Sequence, residues 1–180
     1  SNALHVNIYT TLTGQVINSG LIESTLGGTA VLLNVGSGTT FVNNGGGSID
    51  GDVEFNGTAA YVYSAGNGNI EGSLLGQTGV GGNNDDTVVV NGQHAFTDGA
   101  ASNFLSFTVA SGGTALMGAN TLGGSSASPY SFTNVDALNV NSGGTLYIDQ
   151  GVTLNVDDSY TQQAGGTLMF DLGAPAGIGS

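Results

Sequence analysis

The sequence predicts an all-β fold, specifically a parallel β-helix (β-solenoid) of roughly eight coils. Three observations lead there: apolar residues come in short bursts bounded by Gly, Asn, Ser or Asp, two different motifs recur along the chain, and both recur at nearly the same spacing. Bursts of this length read as strands and show almost no 3.6-residue periodicity.

In chain order the bursts predict strands over 15–17, 30–35, 40–42, 53–55, 60–63, 87–90, 105–109, 114–117, 137–140, 145–148, 153–156 and 167–170. One motif is a Gly-Gly-Thr followed by three apolar residues: Gly112-Gly113-Thr114-Ala115-Leu116-Met117, Gly143-Gly144-Thr145-Leu146-Tyr147-Ile148 and Gly165-Gly166-Thr167-Leu168-Met169-Phe170. Gly27-Gly28-Thr29-Ala30-Val31-Leu32 reads as a fourth copy. The second motif pairs Gly47-Ser48-Ile49-Asp50-Gly51-Asp52-Val53 with Gly68-Asn69-Ile70-Glu71-Gly72-Ser73-Leu74. The step from Gly47 to Gly68 and the step from Gly143 to Gly165 agree to within a single position, although they belong to different motifs. A repeat of about 20–25 residues built from short strands suits a solenoid, in which each coil buries its inward side chains by stacking on its neighbours. The glycine pair lets the backbone take a positive φ at a corner before Thr opens the next strand.

Composition limits the chemistry. The 180 residues hold no Lys or Arg, 13 Asp plus Glu and 2 His, for a net charge of -13, which repels nucleic acid and anionic lipid. Cysteine is absent, so no disulfide frame, thiolate metal site or Cys nucleophile is available. The longest apolar run, Ala30 to Leu33, is far short of a membrane-spanning helix and predicts no direct membrane insertion. Residues 1–3, Ser-Asn-Ala, resemble the scar left when a protease removes an expression tag, and residues 4–180 read as one β-helical segment.

Asp85-Asp86 and Asp157-Asp158 are the paired carboxylates that acid–base hydrolysis needs, but adjacent carboxylates are by default solvated turn residues. No Arg or Lys accompanies them to position a substrate. His5 and His94 are far apart, and His94 reads as a surface turn or strand-end hydrogen bond, so neither a triad nor a zinc site is expected. The run Gly81-Gly82-Asn83-Asn84-Asp85-Asp86-Thr87-Val88-Val89 nearly fits a calcium-roll nonapeptide, yet Asn84 replaces its third glycine and no tandem copy follows. The expectation is a chain with no catalytic residue, no metal and no cofactor.

Three segments carry a resemblance: Asn83-Asn84-Asp85-Asp86-Thr87-Val88-Val89-Val90-Asn91-Gly92, Phe132-Thr133-Asn134-Val135-Asp136-Ala137-Leu138-Asn139-Val140, and Tyr160-Thr161-Gln162-Gln163-Ala164-Gly165-Gly166-Thr167-Leu168. The stretch from Gly81 to Gly173 that contains them resembles the passenger region of autotransporters, the bacterial type V secretion family. Gly-Gly-Thr repeats also occur in two-partner-secreted haemagglutinins. The resemblance covers about half the chain, and the first half joins it through its period. It implies a right-handed parallel β-helix, export through an outer-membrane barrel, and extracellular display tethered by that barrel, often as a virulence-associated adhesin. The partners so implied are host or neighbouring-cell surface molecules, and the exposed rod ends add self-association. A glycan-binding or glycan-degrading β-helix and a pure structural spacer are the alternatives.

One break in the repeat locates a candidate contact surface. The step from Gly112 to Gly143 is longer than the step from Gly143 to Gly165, so a surplus lies between the first two copies. Residues 122–131, Leu-Gly-Gly-Ser-Ser-Ala-Ser-Pro-Tyr-Ser, read as a loop leaving the coil, with Ser125, Ser126, Ser128 and Tyr130 as its contact residues. If the loop is separate from the coil, replacing 123–130 with a short link leaves the melting temperature nearly unchanged.

Overall fold

Alternation of apolar and polar residues makes each burst a strand with one buried face, and such a strand needs neighbours above and below to complete its hydrogen bonds. A computed structural model describes residues 4–8, 14–24, 28–35, 39–56, 60–77, 84–119, 121 and 129–172. In chain order the strands are β1 (Leu4–Ile8), β2 (Gln15–Asn18), β3 (Leu21–Glu23), β4 (Thr29–Val35), β5 (Thr40–Asn43) and β6 (Gly47–Asp50). Then come β7 (Asp52–Phe55), β8 (Val62–Ala65), β9 (Gly68–Glu71), β10 (Leu74–Leu75), β11 (Thr87–Val90) and β12 (Gln93–Thr97). The last six are β13 (Gly99–Val109), β14 (Thr114–Met117), β15 (Tyr130–Val140), β16 (Thr145–Ile148), β17 (Thr153–Gln162) and β18 (Thr167–Phe170).

Each of these strands pairs in parallel with its counterpart one coil away, which makes the chain a parallel β-helix of three faces. The first face stacks β1, β4, β7, β10 and the opening halves of β13, β15 and β17. The second stacks β2, β5, β8, β11 and the closing halves of the same three strands. The third stacks β3, β6, β9, β12, β14, β16 and β18. Seven rungs on the third face correspond to about six turns, fewer than eight. The reason is step length. Val31 stacks on Val53, which is the short step, whereas the steps from Leu74 to Ala101 and from Thr114 to Thr145 are progressively longer and use up chain without adding a rung.

Inward side chains form continuous columns. Val16, Phe41, Tyr63, Val88, Phe107, Leu138 and Tyr160 share one register position, and Ile22, Ile49, Ile70, Phe96, Met117, Ile148 and Phe170 share another. Between the end coils most of these are sealed, and their rings contact across rungs: Phe107 sits 5.3 Å from Phe96 and 5.0 Å from Phe132, centroid to centroid. Neighbouring rungs thus supply the burial that no single coil could supply alone.

The sequence repeats are the stacking register. Gly47 lies on Gly68, Ile49 on Ile70, Asp50 on Glu71 and Val53 on Leu74. Thr114, Thr145 and Thr167 lie in one column. The two glycines of the Gly-Gly-Thr corner do different work. Gly112, Gly143 and Gly165 take φ of 77°, 78° and 87°, while a Cβ on Gly113 would come within 2.2 Å of the Val90 carbonyl oxygen. Thr29, by contrast, opens β4 on the first face, over Asp52, so the fourth copy shares the motif and not the column. The strand expected at 60–63 is shifted to Val62–Ala65, since Tyr61 is spent hydrogen-bonding at the corner.

The corner between the first and second faces is made inside β13 and β15 by a single left-handed residue in each, Asn103 (φ 61°) and Asn134 (φ 56°). Asparagine tolerates this region better than other side-chain-bearing residues, and these two also bond across rungs: Asn134 Nδ2 donates to Asn103 Oδ1 at 2.8 Å.

Candidate functional site

The surplus segment starts on the coil itself. On the third face Ala95, Leu116, Tyr147 and Met169 form an outward column that ought to meet water. Ala95, Leu116 and Tyr147 are nevertheless buried, in a cluster with Ala119, the second residue after β14. Ser125, Ser126 and Ser128 lie outside the described residues.

Tyr130 is not a contact residue. It is the first residue of β15 and 1% exposed, with its ring 5.8 Å from that of Phe96 and its main chain over Gly99. Its hydroxyl is buried without a hydrogen-bond partner, and burial raises its pKa. The excursion therefore ends before Tyr130, and replacing 123–130 would remove a core ring. The expectation of an unchanged melting temperature is corrected on that ground.

Asp86 is not a solvated turn residue either. It is fully buried, and its two carboxylate oxygens accept from Tyr61 N and Gln77 N, each at 2.7 Å. The side chain ties the corner after β10 to the corner before β8. Desolvation lifts its pKa to about 6, against the pull of those two main-chain donors and with a small push from Asp85. With both oxygens facing N–H groups, Asp86 is engaged as an acceptor in the fold and offers little to a cation. Asn84 spends its amide on Asn134 and Asp136, donating to the Asp136 carboxylate at 2.8 Å. Residues 81–83 of the calcium-roll-like run lie outside the described residues. Asp157 and Asp158 are exposed on β17.

His94 belongs to the interior, inside β12, where it is 0% exposed. It ends a chain of buried polar side chains that climbs four rungs. Asn18 Nδ2 donates to Asn43 Oδ1 at 2.9 Å, Asn43 Nδ2 reaches Tyr63 Oη at 3.3 Å, and Tyr63 Oη lies 3.1 Å from His94 Nε2. His94 Nδ1 is 3.0 Å from the Gly66 carbonyl, which can only accept. The imidazole therefore carries its proton on Nδ1, and Tyr63 donates to Nε2. Burial drives the His94 pKa down to about 4 and the Tyr63 pKa up. The alternation of His94 and Phe96 about Ala95 is the sequence signal for an inward-facing histidine.

With these groups built into the fold, the outside of the solenoid holds the remaining chemistry. Carboxylates cluster on the third face, where Glu23, Asp50 and Glu71 stack on successive rungs, and Asp52 and Glu54 sit on the first. The second face differs. Its outward columns, starting at Gln15 and Ile17 and ending at Ser159 and Thr161, contain only Thr, Ser, Val, Ala, Asn, Gln and Ile. Among the described residues, no charge interrupts those columns over seven rungs. No family model, curated protein or solved structure matches the chain.

Proposed function

We propose that the chain is a non-enzymatic segment of a surface-displayed bacterial protein of the autotransporter passenger type, and that its second face is the adhesive surface. The observation that carries this reading is the uncharged run of outward Thr, Ser, Val and Asn positions in a chain whose net charge is -13. A stacked sheet holds those groups rigid, so hydroxyl and amide contacts to a host or neighbouring-cell surface molecule cost little ordering entropy. His94 and Asp86, whose titration burial displaces, are enclosed in structural hydrogen bonds, which supports a role without acid–base chemistry. A spacer would have the same coils but no preference among faces.

The test is adhesion of cells or beads carrying the chain. Ser64→Asp with Thr108→Asp, both outward on the second face, should abolish binding while stability moves by less than about 1 kcal/mol. The same two charges placed on the third face at Ser48 and Asn69 should leave adhesion intact. Undiminished adhesion by the second-face variant would overturn that face as the adhesive surface, and no adhesion by the unsubstituted chain would reduce it to a spacer.

A further inference from the structure

The chain holds four Asn-Gly steps, at Asn44, Asn56, Asn67 and Asn91. An asparagine followed by glycine is open to attack on its own side chain, because no Cβ shields the next main-chain nitrogen and glycine bends freely. Residue 57 lies outside the described residues, which leaves three steps to compare. All three stand at the same corner of successive coils, between the second and third faces, so the fold rather than the local sequence distinguishes them. At Asn67 the side-chain Oδ1 accepts from Gln93 N at 2.9 Å, and Gly68 is the first residue of β9, stacked between Gly47 and His94. At Asn91 the side-chain Nδ2 donates to Ser64 Oγ at 3.1 Å, and Gly92 N donates to the Ala65 carbonyl at 3.3 Å. A Cβ on Gly92 would stand 2.6 Å from Asn67 N, so that glycine has little room to turn. Both steps are held at the side chain and at the glycine.

Asn44 is held at neither. Its side chain is exposed and, among the described residues, makes no hydrogen bond, and the same is true of the Gly45 N–H. Gly45 and Gly46 take positive φ of 61° and 86°, and Gly47 follows, so three glycines in succession give this turn its play. A coil lies on each side of it: a Gly45 Cβ would stand 3.5 Å from Ser19 of the coil before, and Gly66 of the coil after packs against Asn44 itself. We propose that Asn44 is a self-modification site. The Gly45 main-chain nitrogen, losing its proton, attacks Asn44 Cγ; the bond from Cγ to the side-chain nitrogen breaks, and that nitrogen leaves with the proton as ammonia, closing a five-membered succinimide. Water then opens the ring at either carbonyl, its hydroxyl going to carbon and its hydrogen to nitrogen. One opening gives aspartate; the other gives isoaspartate, whose main chain runs through the former side chain. Water is the one co-reactant. Either product sets a new carboxylate at the border of the second face. Isoaspartate also lengthens the main chain at a corner where Asn44 N donates to the Asn18 carbonyl and the Asn44 carbonyl accepts from Gly47 N.

The test is a time course of the folded chain at mildly alkaline pH, with peptide mapping by mass spectrometry to read the exchange of NH2 for OH at each asparagine. Asn44 should convert roughly tenfold or more faster than Asn67 and Asn91, with isoaspartate among its products, because the coil protects the other two. In denaturing urea that protection is gone, and the three rates should converge to within about threefold. Asn44→Gln should remove the early conversion and leave the slow ones as they are. A folded-state rate at Asn44 no higher than at Asn67 or Asn91 would overturn the proposal. So would a lead of the same size in urea, which would assign the reactivity to the neighbouring residues in sequence and not to the corner.

Discussion

The first four rungs and the last three fill the same interior with different chemistry. From Asn18 to His94 the core carries a column of polar groups, each donating to the next and ending on a carbonyl. From Val109 onward the same corner is apolar, with Leu138, Val140 and Leu146. The contrast shows that a stacked interior accepts either chemistry, provided that each buried polar group finds a hydrogen-bond partner on a neighbouring rung. A buried amide is tolerated when the next rung offers its complement, and a hydrocarbon is tolerated when the next rung is hydrocarbon.

Breaking the apolar half should cost most. Phe107→Ala, which empties the space between Phe96 and Phe132, is expected to lose about 3–5 kcal/mol in denaturant unfolding.

Titration probes the first four rungs next. His94 stays neutral down to about pH 4 in the fold, while an unfolded histidine protonates near 6.5. As pH falls from 6.5 to 4 the unfolded state takes up the proton first, so stability is lost, by up to about 3 kcal/mol. Asp86 acts oppositely: with a folded pKa of about 6 against 3.8, it regains stability as pH falls through the same window. The melting temperature of the natural chain should therefore vary little between about pH 4 and 6.5. In Asp86→Asn it should fall on acidification, and in His94→Gln it should rise. Parallel profiles for all three proteins would refute the assignment of these two groups.

Two of the buried tyrosines, Tyr63 and Tyr130, sharpen the comparison further. Tyr63→Phe strands His94 Nε2 and should cost about 1–3 kcal/mol, whereas Tyr130→Phe removes a hydroxyl that has no partner and should be neutral or stabilising. Matched chemical denaturation curves decide between opposite signs. The smallest effect is outside: Asp50→Asn relieves the Glu23–Asp50–Glu71 stack and should add about 0.2–1 kcal/mol, less at high salt.

Much of this architecture is legible in the sequence, because in a solenoid the repeat length is the register. The motif matches of Gly47 to Gly68 and of Thr145 to Thr167 are the observed pairings. Short strands are not legible: β3 and β10 are too brief to show alternation. Nor is burial of polar residues, since nothing local distinguishes an aspartate facing two amides of other coils, as Asp86 does, from one facing water. The burial of Tyr130 is hidden for the same reason, as its partners Gly99 and Phe96 belong to the preceding coil and lie far away in sequence.

The register also fixes how the rod would yield under tension. The hydrogen bonds of a parallel coil run along the rod axis, so a pull between the ends loads them one rung at a time, as in peeling. Each rupture would release the chain between stacked positions, about 75 Å of contour for a short coil such as Val31 to Val53 and about 105 Å for the long one from Thr114 to Thr145. An unequal ladder of extensions, each belonging to a known coil, makes the molecule a tether that lengthens stepwise under modest force while its remaining coils stay wound.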